Sequence, residues 1–136
     1  MRSYAQSGLI DLPLRFDTDH QLFTQGACHW LAKVINRITG WPIYAFWNDE
    51  TEWDDHIFVR TPYGTFLDID GEQTKAELLE RWNAKSLGPF DVICEVPEDA
   101  NFAAEGFDDF IDVEDSIMRA EAVAPGLIKK VVDNHG

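Results

Sequence analysis

Between Ala27 and Thr39 the chain reads ACHWLAKVINRIT, with Cys28, Leu31, Ala32, Ile35 and Ile38 returning at intervals of three and four. That spacing predicts a helix with one apolar stripe. Gly40 supplies its stop and Pro42 bars its continuation. The run IYAFW, Ile43 to Trp47, is rich in β-formers and predicts a buried strand. Two further strand-like runs, HIFVR and TFLDID, flank Thr61-Pro62-Tyr63-Gly64. Proline suits the second position of a type I turn, and glycine takes the left-handed conformation that follows. A three-residue loop, Pro62 to Gly64, pairs Thr61 with Thr65. Counting outward sets His56 opposite Asp70, with Asp68 one diagonal step away, all on one face. A two-residue loop would break that register.

The remaining segments carry weaker patterns. Residues 1 to 25 look irregular, with a short extended piece at Gly8 to Leu12. Thr74 to Trp82 reads as a helix and Pro89 to Val96 as a strand, with Val92, Cys94 and Val96 on one face and Cys94 in the core. From Glu98 to Glu121 the only basic residue is Arg119, while Phe107, Phe110, Ile111, Ile117 and Met118 punctuate the stretch. One or two amphipathic helices with a solvated acidic face are expected there, and PGLIKKVVDNHG adds a short final helix. Helix, three strands, helix, strand, helices is the order of an α+β fold with a mainly antiparallel sheet. We read residues 1–136 as a single domain, with a core over 26–96 and an acidic helical C-terminal segment over 97–136.

Charge narrows the partners. The net charge of −14 repels phosphate backbones and anionic lipid, which argues against nucleic acid and membrane; a basic protein or a cationic group would be attracted. The bland reading of that charge is solubility alone. Two cysteines, Cys28 and Cys94, make no disulfide framework and suit a reducing compartment. Arg, Asp and Pro interrupt the N-terminal residues, and no stretch approaches the roughly 20 apolar residues of a membrane span. A cytoplasmic protein is expected. Oligomeric state is left open.

The candidate chemistry gathers on Cys28. It begins its helix, where unpaired backbone N–H groups and the helix dipole favour a thiolate, and its stripe faces the sheet. Gly26 leaves room for a substrate to approach the backbone, and the Cys28 N–H is placed to hold an oxyanion. His56 is the candidate base, with Asp68 or Asp70 to fix its tautomer. The segments GACHWLAKVINRITG, DDHIFVR and GTFLDIDG together resemble the transglutaminase-like branch of the papain-like cysteine enzymes. They lie between Gly26 and Gly71, about a third of the chain. The resemblance implies a papain-like core, with Cys28 as nucleophile, His56 as base and Asp68 as orienter. The hairpin register favours Asp70 as an alternate. The resemblance also implies an oxyanion donor ahead of the cysteine, for which Gln25 and Gln21 are candidates. The Cys-to-His interval is shorter than in most papain-like peptidases, which favours a small or flexible acyl or amide substrate over an extended peptide. Peptidase, amidase, deamidase and transferase are not distinguished, and no cofactor is needed.

Other readings stand beside this one. Cys28 and His56 also suit a buried helix residue and a strand histidine satisfied by an acidic neighbour. DIDG has the look of a turn for its own sake. Asp68, Asp70, Gly71 and Glu77 match calcium-loop offsets, but the first ligand position would be Phe66. A zinc site from Cys28, His29 and His56 lacks paired-ligand spacing, so no metal is expected. His29 points about 100° from Cys28 on a helix and reads as a surface residue. His20 and His135 are assigned nothing. Trp41, Tyr44, Trp47 and Trp53 are candidate pocket residues or, more ordinarily, core; Trp53 is kept as a substrate-binding candidate within the charged loop NDETEWDD. The rival to a thiol hydrolase or acyl transferase is an acidic binding or inhibitor protein that has kept the fold without activity and docks on a basic partner.

Overall fold

Helix α1 (Asp19–Gln25) forms where no apolar period announces it. A capping box starts it: the Thr18 hydroxyl accepts from the Gln21 N–H at 3.1 Å, and the Gln21 side chain accepts from the N–H groups of Asp17 and Thr18. Two turns are too few to show a period, yet they bury Leu22 and Phe23. The computed structural model describes residues 16–48, 52–83, 92–97, 108 and 111–136. The extended piece expected at Gly8 to Leu12 lies outside the described residues.

Helix α2 (Cys28–Thr39) follows the expected span and ends at Gly40, whose φ of 78° is left-handed. Its buried arc is wider than the stripe suggested: His29 and Val34 are buried, whereas Ile38 is 52% exposed. Next come β1 (Ile43–Asn48), β2 (Glu52–Arg60), β3 (Phe66–Asp68), β4 (Gly71–Gln73), helix α3 (Lys75–Asn83), strand β5 (Val92–Glu95) and helix α4 (Val113–His135). Among the described residues, five strands form one sheet in the order β4-β3-β2-β1-β5, every pairing antiparallel. The fold is therefore α+β, with a cysteine-bearing helix on an antiparallel sheet and a helical C-terminal part.

Alternation along the strands splits the interior in two. Ala45, Ile57, Val59 and Leu67 face α1, α2 and α4, and pack with Phe23, Leu31, Ile35, Ala120 and Val131. Phe46, Phe58 and Phe66 face α3 and pack with Leu78 and Trp82. Cys94, expected in the core, is half-buried opposite Ala45 at the sheet edge.

The hairpin register is the expected one where it forms: Thr61 N–H donates to the Thr65 carbonyl at 2.8 Å, and Arg60 pairs with Phe66 and Val59 with Leu67. It does not run on to pair His56 with Asp70. The chain turns at Ile69 and Asp70, so that Asp68 pairs with Gly71, whose φ of 97° suits glycine. On the other side of β2, Ala45 pairs with Ile57 but Phe46 pairs with Asp54. Asp55 and His56 therefore form a bulge, and His56 stands at a break in the β1–β2 ladder.

The short final helix expected after Pro125 is instead part of one 23-residue helix. Pro125 is exposed and cannot donate to the Glu121 carbonyl. Burial of Ala120, Ala124 and Val131 on either side carries the helix through. Pro125→Ala is therefore expected to stabilise the protein by about 1–3 kcal/mol, read as a higher urea midpoint. An unchanged or lower midpoint would contradict this account of α4. Among the described residues, no helix is long and apolar enough to cross a membrane.

Candidate functional site

The start of α2 is bare. Its N-cap, Ala27, offers no side-chain hydrogen bond, and no acidic residue stands in the first turn. The first backbone N–H groups of a helix have no partner within it, so partial positive charge gathers beside the Cys28 sulfur. Cys28 is 9% exposed. The chain enters from α1 through Gly26, whose N–H closes on the Leu22 carbonyl at 3.3 Å. The open approach expected at Gly26 is filled: a Cβ there would stand 3.0 Å from Ile111 Cγ2, so the glycine serves close packing.

His56, on β2, acts electrostatically on the same thiol. It is 0% exposed, and its ring stacks on Trp82 with centroids 4.0 Å apart and planes 21° apart. Phe46 and Phe58 complete its aromatic surround. Its Nε2–H donates to Asp68 Oδ2 at 2.7 Å. Nδ1 has no oxygen or nitrogen partner among the described residues. Asp68 is itself held: its Oδ1 accepts from Gln73 Nε2 at 2.7 Å and from the Asp70 N–H at 2.8 Å. The carboxylate thus cannot rotate away from the imidazole without leaving buried donors unmet.

Asp70, the alternate orienter, is engaged elsewhere. It takes His20 Nε2 at 2.8 Å and Arg81 Nη1 at 2.8 Å. Burial would raise its carboxyl, but those two partners pull it below the usual carboxylate range. The reason is the turn at Ile69, which carries Asp70 past the face that His56 occupies. Of the oxyanion candidates, Gln21 spends its side-chain oxygen on the α1 cap, and Gln25 is exposed at the end of α1. Trp53 sits on β2 opposite Trp47, and its side chain lies outside the described residues. The Cys28 N–H is the remaining candidate on the described chain. Trp41 and Tyr44 are half-buried, and Trp41 lines a shallow depression with Pro42, Arg60, Thr61 and Pro62.

Electrostatics set the proton's place. Burial pushes the Cys28 thiol up, but hydrogen bonds from His29 and His56 outweigh it and bring the pKa down to about 6. Burial likewise pushes His56 down, while Asp68 and the sulfur raise it to about 9. Both shifts favour a thiolate beside an imidazolium at neutral pH. His56 lends stability in full below the ordinary histidine value and loses it as pH rises through about 9. Cys28 lends stability in full above the ordinary thiol value and loses it as pH falls through about 6. The two slopes oppose each other. The pair is expected to add no net pH slope to stability between roughly pH 6.5 and 8.5, the window between the ordinary values. Urea midpoints of the parent and a Cys28→Ala, His56→Ala double variant should run parallel across that window; a steeper parent would contradict the shared proton.

The sequence did not announce four members of this site. Trp82 ends a segment read only as a helix, and Gln73 and Asp108 carried no signal. His29, expected on the surface, is 0% exposed, because the first turn of α2 is covered by the chain at Asp108. His29 Nε2–H donates to Asp108 Oδ1 at 2.7 Å and Trp30 Nε1–H to the same oxygen at 2.8 Å. No group of three or more metal-ligating side chains with suitable placement occurs among the described residues. Compared with protein-family models, curated proteins and solved structures, the chain matches none.

Proposed function

We propose that the chain is a thiol hydrolase or acyl transferase of transglutaminase-like type, with Cys28 as nucleophile, His56 as base and Asp68 as orienter. One observation carries the reading: a buried imidazole is pinned by a carboxylate on one nitrogen and interacts with a thiol at a bare helix start. The order Cys, His, Asp on helix, strand and next strand supports a papain-like core.

In this reading the Cys28 sulfur bonds to a carbonyl carbon while the carbonyl π electrons move to oxygen. The Cys28 N–H steadies that oxygen. The intermediate collapses, the bond to the leaving amine or alkoxide breaks, and the leaving group takes the proton from His56. Water or an amine then attacks the acyl-enzyme, losing its proton to His56; the second intermediate collapses, its carbon–sulfur bond breaks, and sulfur leaves as the thiolate beside the protonated His56. No cofactor enters any step. A nucleophilic residue only 9% exposed favours a small or flexible acyl group over an extended chain.

p-Nitrophenyl acetate is a suitable probe. A burst of nitrophenol with an acetyl adduct on Cys28, absent in a folded Cys28→Ala variant, is the expected result. No adduct on Cys28, or an adduct confined to Cys94, would count against the reading.

The net charge of −14 carries a second reading, in which the fold serves an acidic protein that docks on a basic partner. It predicts an unreactive Cys28 and binding to a polylysine probe that weakens steeply with salt.

A further inference from the structure

His29 follows Cys28 directly, and a polar ring in that place would ordinarily lie against solvent. Instead it is 0% exposed and its Nε2 is 2.7 Å from a carboxylate 79 residues away, Asp108. That carboxylate also takes the Trp30 indole N–H at 2.8 Å, and the two rings lie with centroids 5.5 Å apart. His29 is therefore oriented as His56 is: a buried imidazole with one nitrogen fixed by an aspartate. Both rings act on the Cys28 side chain and favour its thiolate against the effect of burial.

We infer that His29, held by Asp108, is a second histidine serving the Cys28 sulfur, so that the thiol stands between two histidine–aspartate pairs. The inference rests on Cys28 being the nucleophile proposed above, and assigns new work to His29. Asp108 acts through the ring and is a positioning residue. The charged and titratable groups set around the sulfur are then His29 on its own helix, His56 on β2, and behind them Asp108 and Asp68.

The two histidines have unequal tasks. His56 takes the thiol proton and returns it to the leaving group. His29 stays protonated on the nitrogen that Asp108 holds, and its bond to sulfur steadies the thiolate with no net transfer. Loss of His56 alone would then leave a thiol still more acidic than an ordinary one, yet unable to turn over. Loss of His29 would raise the thiol's titration midpoint while leaving a competent shuttle.

The experiment reads two quantities on the full chain, the pH midpoint of iodoacetamide alkylation at Cys28 and the deacylation rate after p-nitrophenyl acetate. The variants are His29→Gln, His56→Gln, the double variant and Asp108→Asn, each checked for folding by circular dichroism. The expected result is a midpoint raised by either single change and brought to the ordinary thiol value only by both. Deacylation is expected to fall by about 100-fold or more in His56→Gln alone, the scale of a lost general base. Asp108→Asn keeps the ring and its volume, so if His29→Gln fails to fold it still reports; its midpoint should move the same way. A parent midpoint that is low, moved by His56→Gln but not by His29→Gln or Asp108→Asn, would overturn the inference and leave the proposed function standing. A low midpoint moved only by the His29 and Asp108 changes would uphold the second pair and remove His56 as base. An ordinary midpoint in the parent would overturn both.

Discussion

Asp68→Asn is expected to disable the site and weaken the fold together. The carboxylate accepts from three donors, His56 Nε2, Gln73 Nε2 and the Asp70 N–H. An asparagine of the same shape has one oxygen and one NH2 group, so it cannot accept on both sides. If its oxygen stays with Gln73 and Asp70, its NH2 meets the His56 N–H donor to donor. The ring must then move its proton to Nδ1 to accept at Nε2, and Nδ1 can no longer take the thiol proton. Cys28 should return toward the ordinary thiol range, and deacylation should fall by about 100-fold or more. Stability should drop by about 1–3 kcal/mol, the scale of a buried group left unsatisfied. For a chain of this size that is a melting temperature lower by roughly 3–12 °C. Thermal denaturation and the alkylation profile check the two halves separately. An unmoved thiol in a folded Asp68→Asn protein would show that Asp68 does not orient His56.

Trp82→Ala should be the most destabilising single change in the α3 face of the core. Trp82 is 1% exposed, stacks on His56 at 4.0 Å and meets Phe46 edge-on at 6.3 Å. Its removal deletes a large apolar surface and leaves a cavity that a sheet already bulged at His56 cannot close. Loss of about 3–5 kcal/mol is expected, against about 1–2 for Trp82→Phe, which keeps a ring under the imidazole. Urea denaturation with a constant m-value would establish both figures as stability changes. A loss below about 1 kcal/mol for Trp82→Ala would contradict the packing described here. The consequence reaches the site as well, since water admitted beside His56 would screen its bond to Asp68.

What the sequence disclosed follows the range of the interactions involved. The Thr61-Pro62-Tyr63-Gly64 turn is local chemistry, and the pairs it dictates at Thr61, Arg60 and Val59 are those found. Carrying the register on to His56 failed because Asp68-Ile69-Asp70-Gly71 is itself a turn, and two strand-like readings of TFLDID compete. Asp68 was reachable from the Cys–His–Asp order, and its bond to His56 follows that order. α1 went unread because a capping box and two turns carry no period. α4 was read as broken because Pro125 is a local stop signal that burial elsewhere along the helix overrides. His29 and Asp108 were beyond reach: nothing near position 29 says that a carboxylate 79 residues on will cover it. Local rules gave the elements and the order of the site; only tertiary contact gives the company each side chain keeps.

The central claim is that Cys28 and His56 share a proton at neutral pH. The most direct test is the pH dependence of Cys28 alkylation by iodoacetamide from about pH 4 to 9, followed by peptide mapping, in the parent and in His56→Ala. Rate alone is a blunt reading, because a more acidic thiolate is also a weaker nucleophile; at pH 6.5 the gain in thiolate fraction, about 75-fold, shrinks to roughly 5-fold. The midpoint is the sharp quantity. We expect it near 6 in the parent and higher in His56→Ala. A parent midpoint at the ordinary thiol value of about 8.5, unmoved by His56→Ala, would contradict the account.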